Sequence, residues 1–272
     1  MASNPTLRVT PIPAFTDNYI WCIRDSHSAV LVDPGDAKPA IEYLEQQGVA
    51  LTGILITHHH SDHVGGLGDL VAWARSRGAA FPIYGPATER IPQLTQAVRE
   101  GDLVQLDAPR VRLRVLDVPG HTLGHVAYVA DAAATGSDAP MLFCGDTLFA
   151  CGCGRLFEGS AAQMSSSLSK LACLPGDTLV YCAHEYTLNN IRFALAVEPD
   201  NAELQAWAND ARLLRDSSTP TVPTTMTHEL SVNPFLRCHH QRVQLAAQQV
   251  AGRELGGAAE VFAVLRAWKD RF

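Results

Sequence analysis

The most informative stretch of the sequence is Thr57-His58-His59-His60-Ser61-Asp62-His63. Its histidines directly follow an apolar segment, residues 51–57, whose length and composition predict a buried strand. Imidazole nitrogen and carboxylate oxygen are the usual non-thiolate ligands of zinc and related metals. Because His58, His60, Asp62 and His63 lie so close together in the chain, we expect them to share one small volume and to bind metal. A solvated histidine-rich loop is the alternative, since short histidine tracts are weak compositional signals.

Three further donor side chains each lie where a predicted strand gives way to a loop. They are His121 after residues 111–118, Asp146 after residues 141–144 and His184 after residues 178–182. Loops at strand ends are where α/β proteins collect functional groups. One such residue alone would more often be a core or capping group, but three of them together with the histidine cluster favour a shared site. Seven donors suit two metals, with three ligands each and one shared carboxylate.

Short apolar runs alternate with helical patterns through the first two thirds of the chain. Strands are predicted at residues 18–24, 29–33, 51–57, 81–84, 103–106, 111–118, 126–130, 141–144 and 178–182, and helices at residues 39–47, 67–77 and 161–174. Hairpin-like and strand–helix units are mixed, which predicts an α/β fold with sheets covered by helices. Residues 131–140, rich in Ala, Gly, Ser and Asp, predict a loop.

The pattern changes after residue 185. Helices are predicted at residues 187–196, 201–216, 237–250 and 258–269, separated by a Thr- and Pro-rich stretch at residues 217–227. No convincing strand pattern occurs in this part. We therefore predict two domains, residues 1–184 and a smaller all-helical domain at residues 185–272.

Composition excludes several classes of protein. The 272 residues carry a net charge of −7, which argues against a nucleic-acid partner. Seven scattered cysteines do not form the even framework of a disulfide-rich secreted domain. The N-terminus lacks a basic-then-apolar signal, and no apolar run approaches the ~18 residues needed to span a bilayer. We expect a cytoplasmic monomer with no membrane partner.

The pattern T-H-x-H-x-D-H, followed by His121, Asp146 and His184, resembles that of the metallo-β-lactamase superfamily. Within it, the sequence resembles the glyoxalase II, or hydroxyacylglutathione hydrolase, family from one end to the other. The matching runs are residues 12–15, 17–21, 32–36, 57–66, 119–125, 144–149, 152–159, 183–187 and 269–272. The resemblance implies a four-layer αββα sandwich followed by the smaller helical domain.

The resemblance also implies a ligand set for two divalent metal ions. It assigns His58, His60 and His121 to one ion, Asp62, His63 and His184 to the other, and Asp146 to both. Zinc is the expected metal, although iron and manganese suit the same donors. A hydroxide between the two ions, held by Asp62 and Asp146, would be the nucleophile. Asp33 matches an acid that braces the site, and an ordinary turn aspartate before Pro34 is the alternative.

The implied activity is a thioesterase reaction. The family hydrolyses S-2-hydroxyacylglutathione, typically S-D-lactoylglutathione, to glutathione and a 2-hydroxy acid such as D-lactate, in the second step of methylglyoxal detoxification. The positions implied to bind the substrate are Arg155, Phe157, His184, Tyr186, Arg266 and Lys269. Arg155 stands where many members have lysine, and Phe157 where many have tyrosine. A thiolate leaves readily, so no dedicated general acid is expected.

Three other functions remain open on the sequence alone: a β-lactamase of the same fold, a mononuclear iron sulfur dioxygenase, and a non-catalytic metal-binding module. A thiolate metal pair is one interpretation of Cys151 and Cys153, but the flanking glycines and the lack of a second pair favour a structural loop. Of the remaining histidines, we expect His59 and His125 to be framework groups, and His239 and His240 to be surface residues.

Overall fold

The computed structural model of the chain describes residues 7–132 and 139–272. The predicted loop at residues 131–140 therefore falls largely outside the described residues. Within the described ranges, no helix is both long and apolar enough to cross a membrane.

The chain packs into two compact units, each formed by segments that are not continuous in sequence. The first unit is Met1–Asp117 with Gly124–Gly145, and the second is Val118–Leu123 with Asp146–Phe272. This partition differs from the predicted division into residues 1–184 and 185–272, which stays a prediction. His121, Asp146 and His184 belong to the second unit, whereas the histidine cluster belongs to the first.

The first unit contains a six-stranded mixed sheet whose strands follow one another in chain order. These strands are β1 Arg8–Ala14, β2 Asn18–Arg24, β3 Ser28–Val32, β4 Ala50–Leu55, β5 Ile83–Pro86 and β6 Gln96–Val98. The first three pair antiparallel, and β3 to β6 pair parallel. Since β3 and β4 are parallel neighbours, the residues that follow them, Asp33 and Thr57, lie at the same edge of the sheet.

Three helices of the first unit are α1 Ala37–Gln47, α2 Ser61–Val64 and α3 Leu67–Ser76. Helix α1 begins after Asp36, whose side chain accepts a hydrogen bond from the Lys38 backbone N–H. It ends at Gly48, which adopts a left-handed φ of 65°. Leu44 of α1 and Leu70 of α3 join one apolar core with the side chains of the sheet.

Four more strands of the first unit form an antiparallel meander. They are β7 Leu103–Asp107, β8 Arg110–Asp117, β9 Val126–Ala130 and β10 Met141–Gly145. Side chains of β7 alternate between buried and exposed, as expected for a strand with one solvated face. Every side chain of β9 and β10 is buried. The meander therefore has a solvated end and a buried end.

The second unit is mainly helical. Its helices are α4 Ala161–Ala172, α5 Thr187–Val197, α6 Ala202–Asp216, α7 Met226–Val232, α8 Gln241–Ala251 and α9 Ala258–Lys269. A short hairpin joins β11 Leu148–Phe149 to β12 Gly152–Cys153, and β13 Leu179–Cys182 pairs antiparallel with β14 Thr224–Thr225. Apolar side chains of α5, α6 and α7 pack together in a core that includes Cys151 of the hairpin.

The predicted strands and helices are all present, with boundaries that differ by a few residues. Strand β1 had no prediction because Pro11 and Pro13 interrupt it, yet it forms at the sheet edge, where a missing N–H is tolerated. The expectation of a wholly helical C-terminal part was wrong in one detail, since β14 lies within residues 185–272. Its β-branched Thr224 and Thr225 suit a strand, but two residues are too few for a recognisable pattern.

Candidate functional site

Asp33 fixes the loop that follows β4. Its carboxylate accepts hydrogen bonds from the Thr57 backbone N–H at 2.8 Å and from the Thr57 hydroxyl at 2.7 Å. One of its oxygens also lies 3.1 Å from Nδ1 of His63. Asp33 is buried and has a φ of 51°, a left-handed conformation that non-glycine residues rarely adopt. Such strain persists where the surroundings over-determine it, so these contacts favour the bracing role over that of a simple turn residue.

His58 and His60 direct two ring nitrogens at each other. His58 is fully buried, and its Nε2 lies 3.1 Å from Nδ1 of His60. Nδ1 of His58 lies 3.1 Å from the Thr57 hydroxyl, which holds the ring in place. Two imidazole nitrogens at this distance repel unless a proton or a metal ion lies between them. The two nitrogens are therefore joined by a hydrogen bond in this arrangement, and a metal ion could take the place of the proton between them.

Asp62 and His63 lie on the short helix α2. His63 is buried, and its Nδ1 faces the carboxylate of Asp33. Its other ring nitrogen, Nε2, lies 3.5 Å from Oδ2 of Asp62. The Asn18 side-chain amide donates to the same Asp62 oxygen at 3.1 Å. A carboxylate on one ring nitrogen orients the other toward a metal, as is usual for ligating histidines. The first unit thus presents four predicted ligands with their supporting contacts.

His59 and His125, predicted to be framework groups, both contact other side chains of the first unit. Nδ1 of His59 lies 3.0 Å from a carboxylate oxygen of Glu89, a partner that the sequence did not reveal. The second oxygen of Glu89 accepts the backbone N–H of Gly124 at 3.2 Å. His125 is fully buried, and its ring stacks on that of His58 with centroids 4.6 Å apart. Glu89 lies outside any motif, so nothing in its sequence context marks it.

In the second unit, the carboxylate of Asp146 lies between two imidazoles. Its Oδ2 is 3.4 Å from Nε2 of His121, and its Oδ1 is 3.3 Å from Nε2 of His184. All three side chains are buried. Nδ1 of His121 lies 2.8 Å from the Arg155 carbonyl oxygen, so this nitrogen carries the proton and Nε2 is the atom that would ligate a metal. A carboxylate that offers one oxygen to each side has the geometry of a bridging ligand.

Gly154 permits the close packing of this arrangement. A Cβ atom placed on Gly154 would lie 1.9 Å from the Asp146 carbonyl oxygen and 3.2 Å from Nδ1 of His121. The backbone N–H of Gly154 also donates to the Thr147 carbonyl at 3.2 Å. Only a residue without a side chain fits here, so the chain segment after the hairpin can lie directly against Asp146.

We expect Gly154→Ala to lower both thermal stability and activity, since overpacking a rigid site costs about 1–3 kcal/mol or more. Gly68→Ala is the matched control. A Cβ on Gly68 meets nothing within 4 Å, and alanine in a helix is about 1 kcal/mol more favourable than glycine. Melting temperatures and turnover of both variants check the prediction. Equal behaviour of the two variants would contradict it.

A cavity of about 410 Å³ in the second unit contains most of the residues predicted to bind substrate. Its lining includes Arg155, Phe157, Tyr186, Arg266 and Lys269, together with His121 and Asp146. His184 is not part of this lining; its ring stacks on Tyr186 with centroids 4.7 Å apart. Phe157 is exposed and packs edge-to-face on His121. Two candidate metal ligands, His121 and Asp146, therefore line the same cavity as the cationic side chains, and a third, His184, contacts its lining residue Tyr186.

The two cations of α9 differ in their surroundings. Arg266 is buried, and it donates to the Cys153 carbonyl at 2.9 Å and to the Asp270 carboxylate at 2.9 Å. Lys269 donates to the side-chain oxygen of Asn190. Burial, and then the nearby Arg266 charge, lowers the pKa of Lys269 to about 8. Arg266 thus holds protein backbone, whereas Lys269 is the cation whose charge changes near neutral pH.

The remaining polar candidates match their sequence-based interpretation. Burial raises the pKa of the Cys151 and Cys153 thiols, so neither is a ready thiolate ligand. Both lie in the hairpin of β11 and β12, as a structural loop would require. His239 and His240 are exposed. Sequence reasoning missed Asn190 and Glu229, which lie on helices, and Asn233, which directly follows α7; all three are buried polar side chains that no motif singles out.

Two family models together cover nearly the whole chain. The metallo-beta-lactamase superfamily matches residues 15–184, and the hydroxyacylglutathione hydrolase C-terminus matches residues 185–272. A protein of Cupriavidus metallidurans named hydroxyacylglutathione hydrolase is 59% identical over 98% of this chain and 99% of its own length. The protein of that name from Nitrosomonas europaea is 47% identical over 98% of this chain and 97% of its own.

Solved structures share the fold at lower identity. The crystal structure of ETHE1 from Myxococcus xanthus aligns with a TM-score of 0.62 at 23% identity, covering 97% of each chain. A metallo-beta-lactamase from Staphylococcus aureus aligns with a TM-score of 0.63 at 20% identity, covering 98% of this chain and 72% of that one. These likenesses confirm the predicted α/β metallo-β-lactamase fold with its additional helical region.

Proposed function

The chain belongs to the hydroxyacylglutathione hydrolase family of the metallo-β-lactamase superfamily, and on this premise we propose that it hydrolyses S-2-hydroxyacylglutathione. The products are glutathione and a 2-hydroxy acid. S-D-lactoylglutathione, which yields D-lactate in the second step of methylglyoxal detoxification, is the principal substrate. The observation that carries this proposal is the cavity of the second unit, where Asp146 between two imidazoles shares a lining with Arg155 and Lys269.

The donor set fits two divalent metal ions. Five imidazoles and two carboxylates, each with a ligating atom to offer, form the set without a thiolate. We assign His58, His60 and His121 to one ion, Asp62, His63 and His184 to the other, and Asp146 to both. The oriented rings of His63 and His121 support this assignment. Zinc is the proposed metal, and when bound it would supply hydroxide near neutral pH and positive charge opposite the carbonyl oxygen.

The chain's own side chains perform the remaining tasks. Asp33 and the Arg155 carbonyl keep two ligating histidines in the required tautomer. Lys269 and the exposed Arg155 offer positive charge to the carboxylates of glutathione, while Phe157 and Tyr186 provide aromatic surface for its chain. A thiol has a pKa of about 8.5, so the thiolate leaves without a proton donor.

Removing the Lys269 charge should weaken substrate binding. We expect Lys269→Ala to raise KM for S-D-lactoylglutathione about tenfold, equivalent to ~1.4 kcal/mol, with unchanged metal content. A thioester without carboxylates should be hydrolysed equally by both proteins. Because the pKa of Lys269 is about 8, the wild-type KM should rise as pH increases through 8, whereas Lys269→Arg should show no such rise. A KM within twofold of wild type in Lys269→Ala would contradict the role.

The proposed function is tested by measuring metal content beside thioester hydrolysis. The purified chain should contain about two metal ions, lose activity with a chelator and regain it with zinc. Hydrolysis of a β-lactam, or oxygen-dependent oxidation of a persulfide with one iron bound, would instead identify the competing activities of this fold. Bound metal without any of these activities would indicate a non-catalytic module. A cytoplasmic location and a monomeric state complete the proposal.

A further inference from the structure

The hairpin of β11 and β12 follows closely after Asp146 in the chain. Its turn contains Cys151, which has a left-handed φ of 56°. Phe149 and Cys153 of the hairpin line the cavity, and Gly154 immediately after it packs on the Asp146 backbone. A shift of this hairpin would therefore move Asp146 as well as the cavity wall.

Two buried side chains of the helical part hold the turn of the hairpin. The Glu229 carboxylate accepts the Cys151 backbone N–H at 2.9 Å and the Thr224 hydroxyl at 2.8 Å. The Asn233 amide donates to the carbonyls of Phe149 at 3.1 Å and Gly152 at 3.0 Å, and to Glu229 at 3.0 Å. Both side chains are fully buried. They engage backbone groups on both sides of the turn.

Two more helices contact the same segment. The Asn190 amide of α5 donates to the Ala150 carbonyl at 2.9 Å, and Arg266 of α9 donates to the Cys153 carbonyl at 2.9 Å. Asn190 also accepts from Lys269, the cation proposed to bind substrate. The backbone of residues 149–153 is thus held by polar side chains at five successive positions.

The buried polar groups that hold this turn are not explained by a contribution to folding stability alone. Burial raises the pKa of Glu229 to about 7, although the three donors around it favour the carboxylate. A buried ionisable group in a polar network often contributes less stability than apolar packing of the same volume, and a fully hydrogen-bonded network favours a single geometry. A left-handed Cys151 adds further strain, of the kind found next to functional sites.

We propose that Glu229 and Asn233 are positioning residues that hold the hairpin at residues 148–153 and, through it, the carboxylate of Asp146. Neither residue lines the cavity, so both act through the hairpin. The proposal rests on the proposed function, because it treats Asp146 as the bridging ligand. It gives the helical part of the chain a task in metal binding in addition to the contacts proposed for substrate.

Glu229→Gln is the sharpest test, because the amide keeps the shape of the side chain but removes its charge and replaces one of its two acceptor oxygens with an N–H donor. For the zinc-loaded protein we expect kcat to fall and the zinc Kd, measured by competition with a chelator, to rise, each by about tenfold or more. KM for S-D-lactoylglutathione should change less than kcat. A purely structural role predicts lower thermal stability with kcat and zinc Kd within twofold of wild type, and that result would overturn the proposal.

Glu198→Gln is the matched control. Glu198 is an equally buried glutamate of the second unit, but its partner is Arg237, at 2.7 and 3.0 Å. This variant should lose stability while keeping kcat and zinc affinity. If Glu229→Gln does not fold, Asn233→Ser carries the same test, since it leaves Glu229 with two donors. Wild-type protein that neither binds zinc nor hydrolyses the thioester would refute the proposed function instead.

Discussion

Asp146→Ala should lower kcat/KM for S-D-lactoylglutathione by at least about a thousandfold, which corresponds to ~4 kcal/mol of transition-state stabilisation. Asp146 offers one carboxylate oxygen to the side of His121 and the other to that of His184, at 3.4 and 3.3 Å. Removing it takes away the proposed shared ligand and would leave two metal ions without the anion between them. Both the metal content and the turnover should therefore fall.

Metal analysis and steady-state kinetics of the same preparation measure this effect. Asp146→Asn should behave almost as badly as the alanine variant, because the amide keeps the shape but lacks the charge. Asp200→Ala, which removes an exposed aspartate of the same unit, should match wild type. If Asp146→Ala keeps both metal ions and near-normal turnover, Asp146 is not the bridging ligand.

Much of the fold could be predicted because its signals are local. The apolar runs of β4 and β9 and the Gly48 end of α1 each reflect periodicity or a cap within a few residues. Strand β1 could not be predicted, because its prolines are tolerated only at a sheet edge, and edge position is a property of the whole sheet. The same holds for β14, two residues whose pairing with β13 no local pattern announces.

The candidate ligands could be predicted because histidine and aspartate at strand ends are unusual and chemically specific. Their supporting contacts could not. Glu89 pairs with His59, and Glu229 holds the Cys151 turn, across long separations in the chain. A single glutamate on a helix or in a loop has no sequence feature that distinguishes a buried partner from a solvated charge.

Arg266 and Lys269 show the same limit on one helix. Their i, i+3 spacing predicts a shared face, and both line the cavity. The spacing does not reveal that Arg266 is committed to the Cys153 carbonyl and to Asp270. Side chains with the same charge on the same face thus differ in their hydrogen-bond partners because of what surrounds each of them.

Neighbouring histidines of the cluster should respond differently to the same substitution. We expect His58→Gln and His60→Gln to lower metal content and to reduce activity about a hundredfold or more, since each removes a proposed ligand. His59→Gln should leave metal content near that of wild type. The reason is that Nδ1 of His59 lies 3.0 Å from Glu89, whereas the nitrogens of His58 and His60 point at each other, 3.1 Å apart.

The three variants control for one another, because they make the same chemical change at successive positions of one loop. A general disturbance of the loop would lower the metal content of all three variants alike. The same result is expected if the loop is a histidine-rich patch in which every histidine contributes equally to metal binding. Only alternating ligands predict loss at His58 and His60 with retention at His59. Glutamine at position 59 can still donate to Glu89, so that the framework contact is kept. Equal metal loss in the three variants would refute the alternating assignment and, with it, the grouping of His58 and His60 on one ion.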